Sequence, residues 1–365
     1  MPGVYISYPF CAQKCTYCNF ASGVLPRVLE EQYPQALEGE IGAHHWAWTP
    51  ETVYLGGGTP SQMDLAALAR VLAAVPGKPW REATMEAAPG TVSIERARSW
   101  RESGITRVSL GVQSFVQKEI ARTGRKHTAA IVENELAVLA AAGIAEVNID
   151  LIAGLAGQTE DSWRESLAWI ERLQPSHVSI YMLEIDEDSR LGQEVLLNGK
   201  RYGAPDIPSD ERIAAFYEEA VERLAAMGLP RYEISNFARP GCESAHNLKY
   251  WRLEPYVGFG TDAHSLENGV RRQNTDDAAE YVARMQRGES PCVEETPAHA
   301  ADERFFVGLR LSEGIRPTPD EWRQFEAPIH RFISEGLLES AGGLLRLTSR
   351  GVLLSNEVFQ EFLIG

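Results

Sequence analysis

Three cysteines near the start of the chain are the residues whose type and spacing most directly indicate chemistry. Cys11, Cys15 and Cys18 follow the spacing C-x3-C-x2-C, and the next cysteine along the chain is Cys242. A structural zinc site requires four protein ligands, and an ordinary [4Fe–4S] cluster requires four thiolates. Three thiolates on one short segment therefore predict a metal centre with one open coordination position, with a zinc loop or three structural thiols as the alternatives.

Composition limits the classes of protein to which this chain can belong. At 365 residues it has room for one large α/β domain and a small appendage. Its net charge of −16 opposes nonspecific contact with nucleic-acid phosphates. Five cysteines, three of them clustered, favour a reducing compartment over a disulfide framework. With no leader-like segment before Cys11 and no long apolar run, we expect a cytoplasmic protein without a transmembrane segment, and peripheral membrane contact stays open.

Between residues 50 and 230, short apolar segments alternate with longer helical patterns, which is typical of a mainly parallel sheet. The predicted strands are Thr52–Leu55, Thr84–Ala87, Arg107–Leu110, Glu146–Ile149 and His177–Met182. The predicted helices between them include Leu65–Ala74, Val132–Ala142 and Trp163–Leu173. This rhythm predicts a (β/α) barrel, in which active residues gather at the C-terminal ends of the strands.

After about residue 290 the pattern changes to short helices with one hairpin. The predicted helices are Asp302–Leu311, Pro319–Phe325, Ile329–Glu335 and Gly351–Phe362, and the hairpin lies within Leu337–Leu347. We interpret this part as a small winged-helix-like domain, and its acidic balance favours a lid or docking module over DNA binding. The predicted division is residues 1–288 and 289–365.

A glycine segment, Gly56-Gly57-Gly58-Thr59-Pro60, follows the first of these predicted strands. Glycines let backbone amides approach a ligand with no side chain in the way. The segment matches neither the dinucleotide nor the P-loop pattern, so by itself it is equally typical of a tight turn.

Together, the cysteine spacing and the GGGTP segment resemble the radical S-adenosylmethionine (SAM) superfamily. The resemblance implies that Cys11, Cys15 and Cys18 hold three irons of a [4Fe–4S] cluster and that the fourth iron chelates SAM. Reduction of the cluster would then yield a 5′-deoxyadenosyl radical, with an electron donor such as flavodoxin or ferredoxin. Thiolates suit this role because they are soft ligands. The resemblance also implies a partial (β/α)6 barrel.

Further positions match SAM-contacting residues of the coproporphyrinogen dehydrogenase (HemN-like) branch. Carboxylates such as Glu86 and Asp150 can accept both ribose hydroxyls, whereas a polar residue in a salt bridge at the barrel rim is the alternative. Ser7, Tyr8 and Ala88 depart from that branch's common pattern, which puts supporting hydrogen bonds in doubt. The SAM-binding residues implied are Tyr5, Tyr17, Gly57, Gly58, Thr59, Glu86, Gln113, Arg125 and Asp150.

A third group of motifs begins with Tyr-Glu-Ile-Ser-Asn-Phe-Ala at residues 232–238 and continues with an HNxxYW string at 246–251. These motifs resemble the haem-chaperone (HemW-like) branch over essentially the whole chain. The resemblance implies haem or porphyrin as cargo, passed to haem-acceptor proteins, with His246, Asn247, Tyr250 and Trp251 as haem candidates. Histidine can ligate haem iron, and aromatic rings can pack on a porphyrin. The alternative is that His246 caps or orients its loop.

Phe20 separates the two close branches. The dehydrogenases extend the cysteine motif to C-x3-C-x2-C-x-C, and this chain has Phe20 at the fourth position. A phenyl ring has no thiol chemistry, so the sequence favours the chaperone. An oxygen-independent coproporphyrinogen III dehydrogenase, another radical SAM reaction and a metal-stabilised scaffold without SAM stay open as alternatives.

Overall fold

A computed structural model gives the fold, and the structure describes residues 2–298 and 300–363. Eleven strands of these residues form one sheet and two form a separate hairpin. The strands are β1 (Gly3–Tyr8), β2 (Thr52–Gly57), β3 (Glu82–Ala87), β4 (Arg107–Gln113), β5 (Glu146–Ala153), β6 (His177–Met182), β7 (Asn236–Ala238), β8 (Tyr256–Phe259), β9 (His264–Glu267), β10 (Val270–Asn274), β11 (Cys292–Pro297), β12 (Leu338–Ala341) and β13 (Leu344–Leu347).

Helices cover the connections between these strands. The α-helices are α1 (Arg27–Ala43), α2 (Leu65–Ala74), α3 (Ile94–Ser103), α4 (Gln117–Arg122), α5 (Ala129–Ala141), α6 (Glu160–Leu173), α7 (Arg190–Leu196), α8 (Asp210–Ala226), α9 (Ala245–Trp251), α10 (Ala278–Gln286), α11 (Ala300–Gly308), α12 (Pro319–Gln324), α13 (Glu326–Ser334), α14 (Ser349–Leu353) and α15 (Ser355–Gln360). Two short 3-10 segments are Pro60–Gln62 and Arg201–Asp206. No helix in the described part of the chain is both long enough and apolar enough to cross a bilayer.

Six parallel strands lie side by side in chain order, from β1 to β6. β8 adds a parallel strand beside β1, and β7 closes the other side antiparallel to β6. β9, β10 and β11 continue the sheet as antiparallel strands, and the two outermost strands, β7 and β11, do not pair with each other. The sheet is therefore a partial (β/α)6 barrel, which confirms the predicted fold class.

The predicted strands are all present, but several extend beyond their predicted ends. β2 continues to Gly57, β4 to Gln113 and β5 to Ala153. The first strand, β1, was not among the predicted strands, although it lies at the centre of the sheet between β2 and β8. Its central residues are buried on both faces, so it lacks the clean alternation that marks a half-exposed strand.

Helix ends follow the local chemistry of the sequence. α2 spans the residues predicted for it, and Asp64 caps it by accepting the amide of Ala67. Gly104 ends α3 with φ 105°, a left-handed conformation that glycine adopts without steric cost.

The C-terminal helices pack against one another through aromatic rings, which include Phe305, Phe325, Phe332 and Phe362. The single helix predicted for 351–362 is wrong, because the chain breaks at Leu354 into α14 and α15. The hairpin is β12 and β13. β11 pairs with β10, so the large sheet runs past the division predicted between residues 288 and 289.

A buried carboxylate positions α9 beneath the barrel. Glu82 on β3 is only 5% exposed, and it accepts the hydroxyl of Ser244 and the amides of Ala245 and His246 at 3.2, 2.9 and 3.0 Å. Its other neighbour is the buried guanidinium of Arg107, at 3.7 Å. Acceptors at a helix N-terminus satisfy amides that have no partner within the helix.

We expect Glu82→Ala to lower the free energy of unfolding by about 1.5–3 kcal/mol, because the N-terminus of α9 would lose its charged acceptor, while Arg107 keeps the carboxylate of Glu146 at 3.2 Å. Urea denaturation followed by circular dichroism measures the change. Glu102→Ala, at an exposed position of α3, serves as the control and should change stability by less than about 0.5 kcal/mol. Equal stability of the two variants would contradict this role for Glu82.

Candidate functional site

The cysteine loop is held against the glycine segment by backbone hydrogen bonds. The amide of Gly58 donates to Tyr8 O at 2.7 Å, and the amide of Thr59 donates to Phe10 O at 2.9 Å. A Cβ atom on Gly58 would lie 2.6 Å from the carbonyl oxygen of Phe10, a distance that no real Cβ contact tolerates. Gly57 requires glycine for a different reason, because its φ of 106° is a backbone conformation that residues with a Cβ atom rarely adopt. These two glycines therefore allow the two loops to meet.

The three thiols lie on one side of this junction. Cys11, Cys15 and Cys18 are all partly exposed, and all three line one cavity. Burial raises the pKa of the Cys11 thiol, while the hydroxyls of Thr59 and Ser22 oppose that shift. Within residues 2–298 and 300–363, no three His, Cys, Asp or Glu side chains converge on a single ion. A [4Fe–4S] cluster does not require its ligands to converge on a single ion, because each thiolate binds a different iron.

The cavity has a volume of about 820 Å³, which is within the range of small-molecule sites. It brings together nearly all the predicted SAM-binding residues. Those that line it are Tyr17, Gly57, Gly58, Thr59, Glu86, Gln113, Arg125 and Asp150. Tyr5 does not line the cavity but lies directly behind it, because a Cβ on Gly56 would be 3.1 Å from both Tyr5 Oη and Glu86 Oε1.

Several polar atoms on the cavity wall are buried without a hydrogen-bond partner. They include Gln113 Oε1 and Arg125 Nε, while Arg125 Nη1 donates to Gly111 O at 2.7 Å. Burying an unsatisfied polar atom costs about 1–3 kcal/mol, so such atoms at a cavity are natural contacts for a ligand. The donor set therefore fits a polar cofactor, and it fits a cluster through the three thiols.

Gln113 also has a strained backbone. Its φ is 71°, in the left-handed region that non-glycine residues rarely adopt, and the β4–β5 register shifts between Gly111 and Gln113. Strain of this kind is retained where the surrounding structure fixes it, and it clusters at functional sites. The shift places Gln113 on the cavity wall at the end of β4.

Glu86 and Asp150 form the acidic side of the cavity. Burial raises the pKa of Glu86 to about 7, and the nearby Asp150 carboxylate adds to the shift. Tyr54 Oη donates to Glu86 at 2.9 Å and the Gly57 amide donates at 3.1 Å. Burial likewise raises the pKa of Asp150, which accepts from Asn148 Nδ2 at 2.6 Å.

The HNxxYW string forms α9 and lies outside the cavity. None of His246, Asn247, Tyr250 and Trp251 lines it. His246 is fully buried, with Nδ1 2.8 Å from Thr52 Oγ1 and Nε2 2.8 Å from Tyr250 Oη, and burial lowers its pKa to about 3. Both ring nitrogens are therefore engaged, and the structure does not bring these residues to the cavity wall. Haem ligation by His246 stays a prediction.

Tyr54 connects this helix to the acidic side of the cavity. Its ring stacks on His246 with 5.3 Å between centroids, while its hydroxyl binds Glu86. The HNxxYW helix thus supports the layer of side chains behind the predicted SAM contacts.

A directed hydrogen-bond chain gives a second connection. Asn148 Oδ1 lies 2.6 Å from His177 Nδ1, and His177 Nε2 lies 2.9 Å from Tyr232 Oη. Because Asn148 Oδ1 can only accept, His177 Nδ1 donates to it, and Nε2 of the neutral ring then accepts the Tyr232 hydroxyl proton. The Ser244 amide donates to Tyr232 Oη at 3.2 Å. Since Asn148 also donates to Asp150, the chain runs from the start of α9 to the cavity. Sequence reasoning missed Asn148 and His177. The feature that could have marked them is that each is a polar residue inside a strand that is otherwise apolar and buried.

The C-terminal domain completes the cavity wall. Five of its consecutive residues, 353–357, line the cavity, and so does Arg310 just after α11. Sequence reasoning did not find Arg310, because nothing local to the sequence marks it. The lid or docking role stays a prediction.

Two models of known protein families match parts of this chain. Residues 5–170 match the model of the radical SAM superfamily, and residues 296–354 match that of the HemN C-terminal domain. The heme chaperone HemW of Escherichia coli (strain K12) is 34% identical, with 99% of this chain and 97% of the relative covered. The heme chaperone HemW of Bacillus subtilis (strain 168) is 30% identical, with 100% of this chain and 99% of the relative covered. The chain belongs to the HemW family of radical SAM proteins.

Among solved structures, coproporphyrinogen III oxidase (HemN) from Escherichia coli superposes with a TM-score of 0.84. The match covers 99% of this chain and 89% of that one at 20% identity, so it shows a shared fold. Unlike the HemN-like branch described above, this HemW family member carries Phe20 two residues after its third cysteine, and the ring is 65% exposed on the cavity lining.

We expect Gly58→Ala to displace the cysteine loop, because over-packing of this kind costs about 1–3 kcal/mol and the clash is with backbone atoms. Iron and sulfide per chain should fall well below wild type after anaerobic reconstitution. Gly23→Ala, in the same loop with open space around its Cβ position, is the matched control and should load normally. Full loading of Gly58→Ala would contradict the docking argument.

The raised pKa of Glu86 predicts that SAM affinity depends on pH. Below about pH 7 the carboxyl is protonated and accepts ribose hydroxyls poorly, so affinity should rise with pH through that value. Between about pH 6 and pH 8 we expect up to about a tenfold gain by calorimetry. Glu86→Gln should remove this dependence, and a wild-type affinity that is flat over the same range would count against Glu86 as the acceptor.

Proposed function

We propose that this protein is a haem chaperone that binds a [4Fe–4S] cluster and SAM in its cavity, carries haem and delivers it to acceptor proteins. The observation that carries the proposal is Phe20, an exposed phenyl ring on the cavity lining where the dehydrogenase motif has a thiol. Membership of the HemW family, whose relatives are named heme chaperones, supports the same choice.

The chain's own residues would hold the cofactors as follows. The thiols of Cys11, Cys15 and Cys18 would hold the cluster, which together with SAM supplies one-electron chemistry when bound. Backbone groups of the glycine segment would receive the aminoacyl end of SAM. Glu86 and Asp150 would accept its hydroxyls.

The haem candidates His246, Asn247, Tyr250 and Trp251 act, in this proposal, by supporting from behind the side chains that line the haem site. His246 is held by Thr52 and Tyr250, so ligation of iron would require one of those hydrogen bonds to break. Through Tyr54 and Glu86 the same helix contacts the side chains that surround SAM. Haem and SAM would therefore influence each other through a shared packing layer.

The test is a haem titration of the anaerobically reconstituted protein, with and without SAM. Wild type should give a saturable, stoichiometric Soret change. His246→Ala should lower the free energy of unfolding by about 1–3 kcal/mol, because Thr52 and Tyr250 lose a buried partner, and it should leave the Soret maximum unshifted because the iron ligand does not change. A shifted maximum would instead identify His246 as a ligand.

His45→Ala, at an exposed position, is the matched control for the histidine substitution and should titrate as wild type does. A parallel incubation with coproporphyrinogen III, SAM and reductant should yield no protoporphyrinogen IX. Product over many turnovers, or a wild type that gives no Soret change, would contradict the chaperone proposal.

A further inference from the structure

Arg310 is a cavity residue that no sequence motif marked. It follows α11 in the C-terminal domain, lines the cavity and has a side chain that is 26% exposed. Its guanidinium lies 4.4 Å from the ring centroid of Trp251, the last residue of the HNxxYW string. Its Nε lies 3.8 Å from Oε2 of Glu233, which belongs to the motif at residues 232–238. Two motifs therefore meet at one arginine.

The guanidinium has unused hydrogen-bonding capacity. In residues 2–298 and 300–363 its side chain donates no hydrogen bond, and both its Nε and Glu233 Oε2 are buried without a hydrogen-bond partner, since the 3.8 Å between them is too long for one. Arginine has five N–H donors in a planar fork that matches a carboxylate. Contact with Trp251 covers a face of the guanidinium and leaves its edge, which carries the donors, free to meet an anion.

Its neighbours on the cavity wall differ from those of Arg125, the arginine among the predicted SAM contacts. Tyr217 Oη binds Ile234 O, and both residues line the cavity with Arg310 and Ser235. Arg125, by contrast, interacts with Cys15 and Tyr17 beside the cluster loop. The cavity thus has one arginine at its cysteine loop and another on the wall that the C-terminal domain contributes.

We propose that Arg310 is a carboxylate subsite of the cavity and that it binds a propionate of the tetrapyrrole cargo. This inference rests on the proposed function and deepens it by naming a group that recognises the cargo. Trp251 and Glu233 are then positioning residues, which hold the guanidinium in place without touching the cargo. The carboxylate of SAM offers the same chemistry, and the experiment separates the two sources.

The experiment compares haem with its dimethyl ester, in which both propionates are capped, using the reconstituted full chain. Arg310→Gln should weaken haem binding by about 10- to 100-fold, the range for a hydrogen-bonded charged group. It should leave ester binding and SAM affinity unchanged. Arg310→Lys should recover part of the haem affinity, because it keeps the charge but loses the fork. Arg323→Gln, an exposed arginine of the same domain, is the matched control.

A second variant is the control for effects of the substitution on folding. Removing Arg310 alone leaves Glu233 buried without its counter-charge, whereas Glu233→Gln with Arg310→Gln leaves no buried unpaired charge. The double variant should melt near wild type and still show the selective loss of haem affinity.

Three outcomes would overturn the assignment while the wild type still binds haem. The first is an unchanged haem affinity in both Arg310→Gln and the double variant. The second is an equal loss of affinity for haem and for its dimethyl ester. The third is a loss of SAM affinity while haem affinity is unchanged. A wild type that binds neither haem nor ester would instead overturn the proposed function, and this inference with it.

Discussion

Backbone hydrogen bonds between the cysteine loop and the glycine segment are the interaction on which the site depends. β1 and β2 pair in register with Tyr8 opposite Gly57, so the two loops leave the sheet side by side. The Gly58 and Thr59 amides then bind carbonyls on the approach to Cys11. Because backbone groups make these contacts, the loop position depends on the absence of side chains more than on particular ones. The thiols reach the cavity only when this junction forms.

Below that junction, the inside of the barrel carries many polar side chains, and several of them hydrogen-bond one another. Buried polar groups are costly unless paired, so a chain that passes from Asp150 through Asn148 and His177 to Tyr232 tolerates little displacement. Burial, with the nearby Arg107 guanidinium, holds the pKa of His177 far below its usual range. A neutral ring lets one nitrogen donate while the other accepts. The motif at 232–238 is thereby explained as support for both α9 and the cavity.

The C-terminal domain contributes to the cavity as well as to stability. Backbone bridges join Glu233 to Leu311 and Ile315 to Leu345, so the segment after α11 connects the barrel with the hairpin. Arg310 lies in that segment, where its neighbours come from distant parts of the chain. A change in the position of this domain would change the shape and the charge of the cavity wall together.

The sequence alone was enough to predict the parallel sheet, α2, the cysteine site and the glycine segment, because hydrophobic period and glycine chemistry act over a few residues. That eight of the SAM contacts implied by the resemblance line one cavity is visible only in the folded chain. Long-range packing decided the rest. β1 is buried on both faces and shows no alternation, and the break at Leu354 divides a continuous helical pattern. Local patterns give no sign of such features.

The same distinction holds for the haem candidates and for Arg310. The string at 246–251 marks an important helix, yet only the fold shows that Glu82 and Tyr54 draw His246 into the interior. Likewise, Arg310 is an ordinary arginine until Trp251 and Glu233 meet it at the cavity. Residue types determine which chemistry is available. Tertiary contacts decide which side chains are free to perform it, because burial and hydrogen bonding engage some polar groups and leave others open.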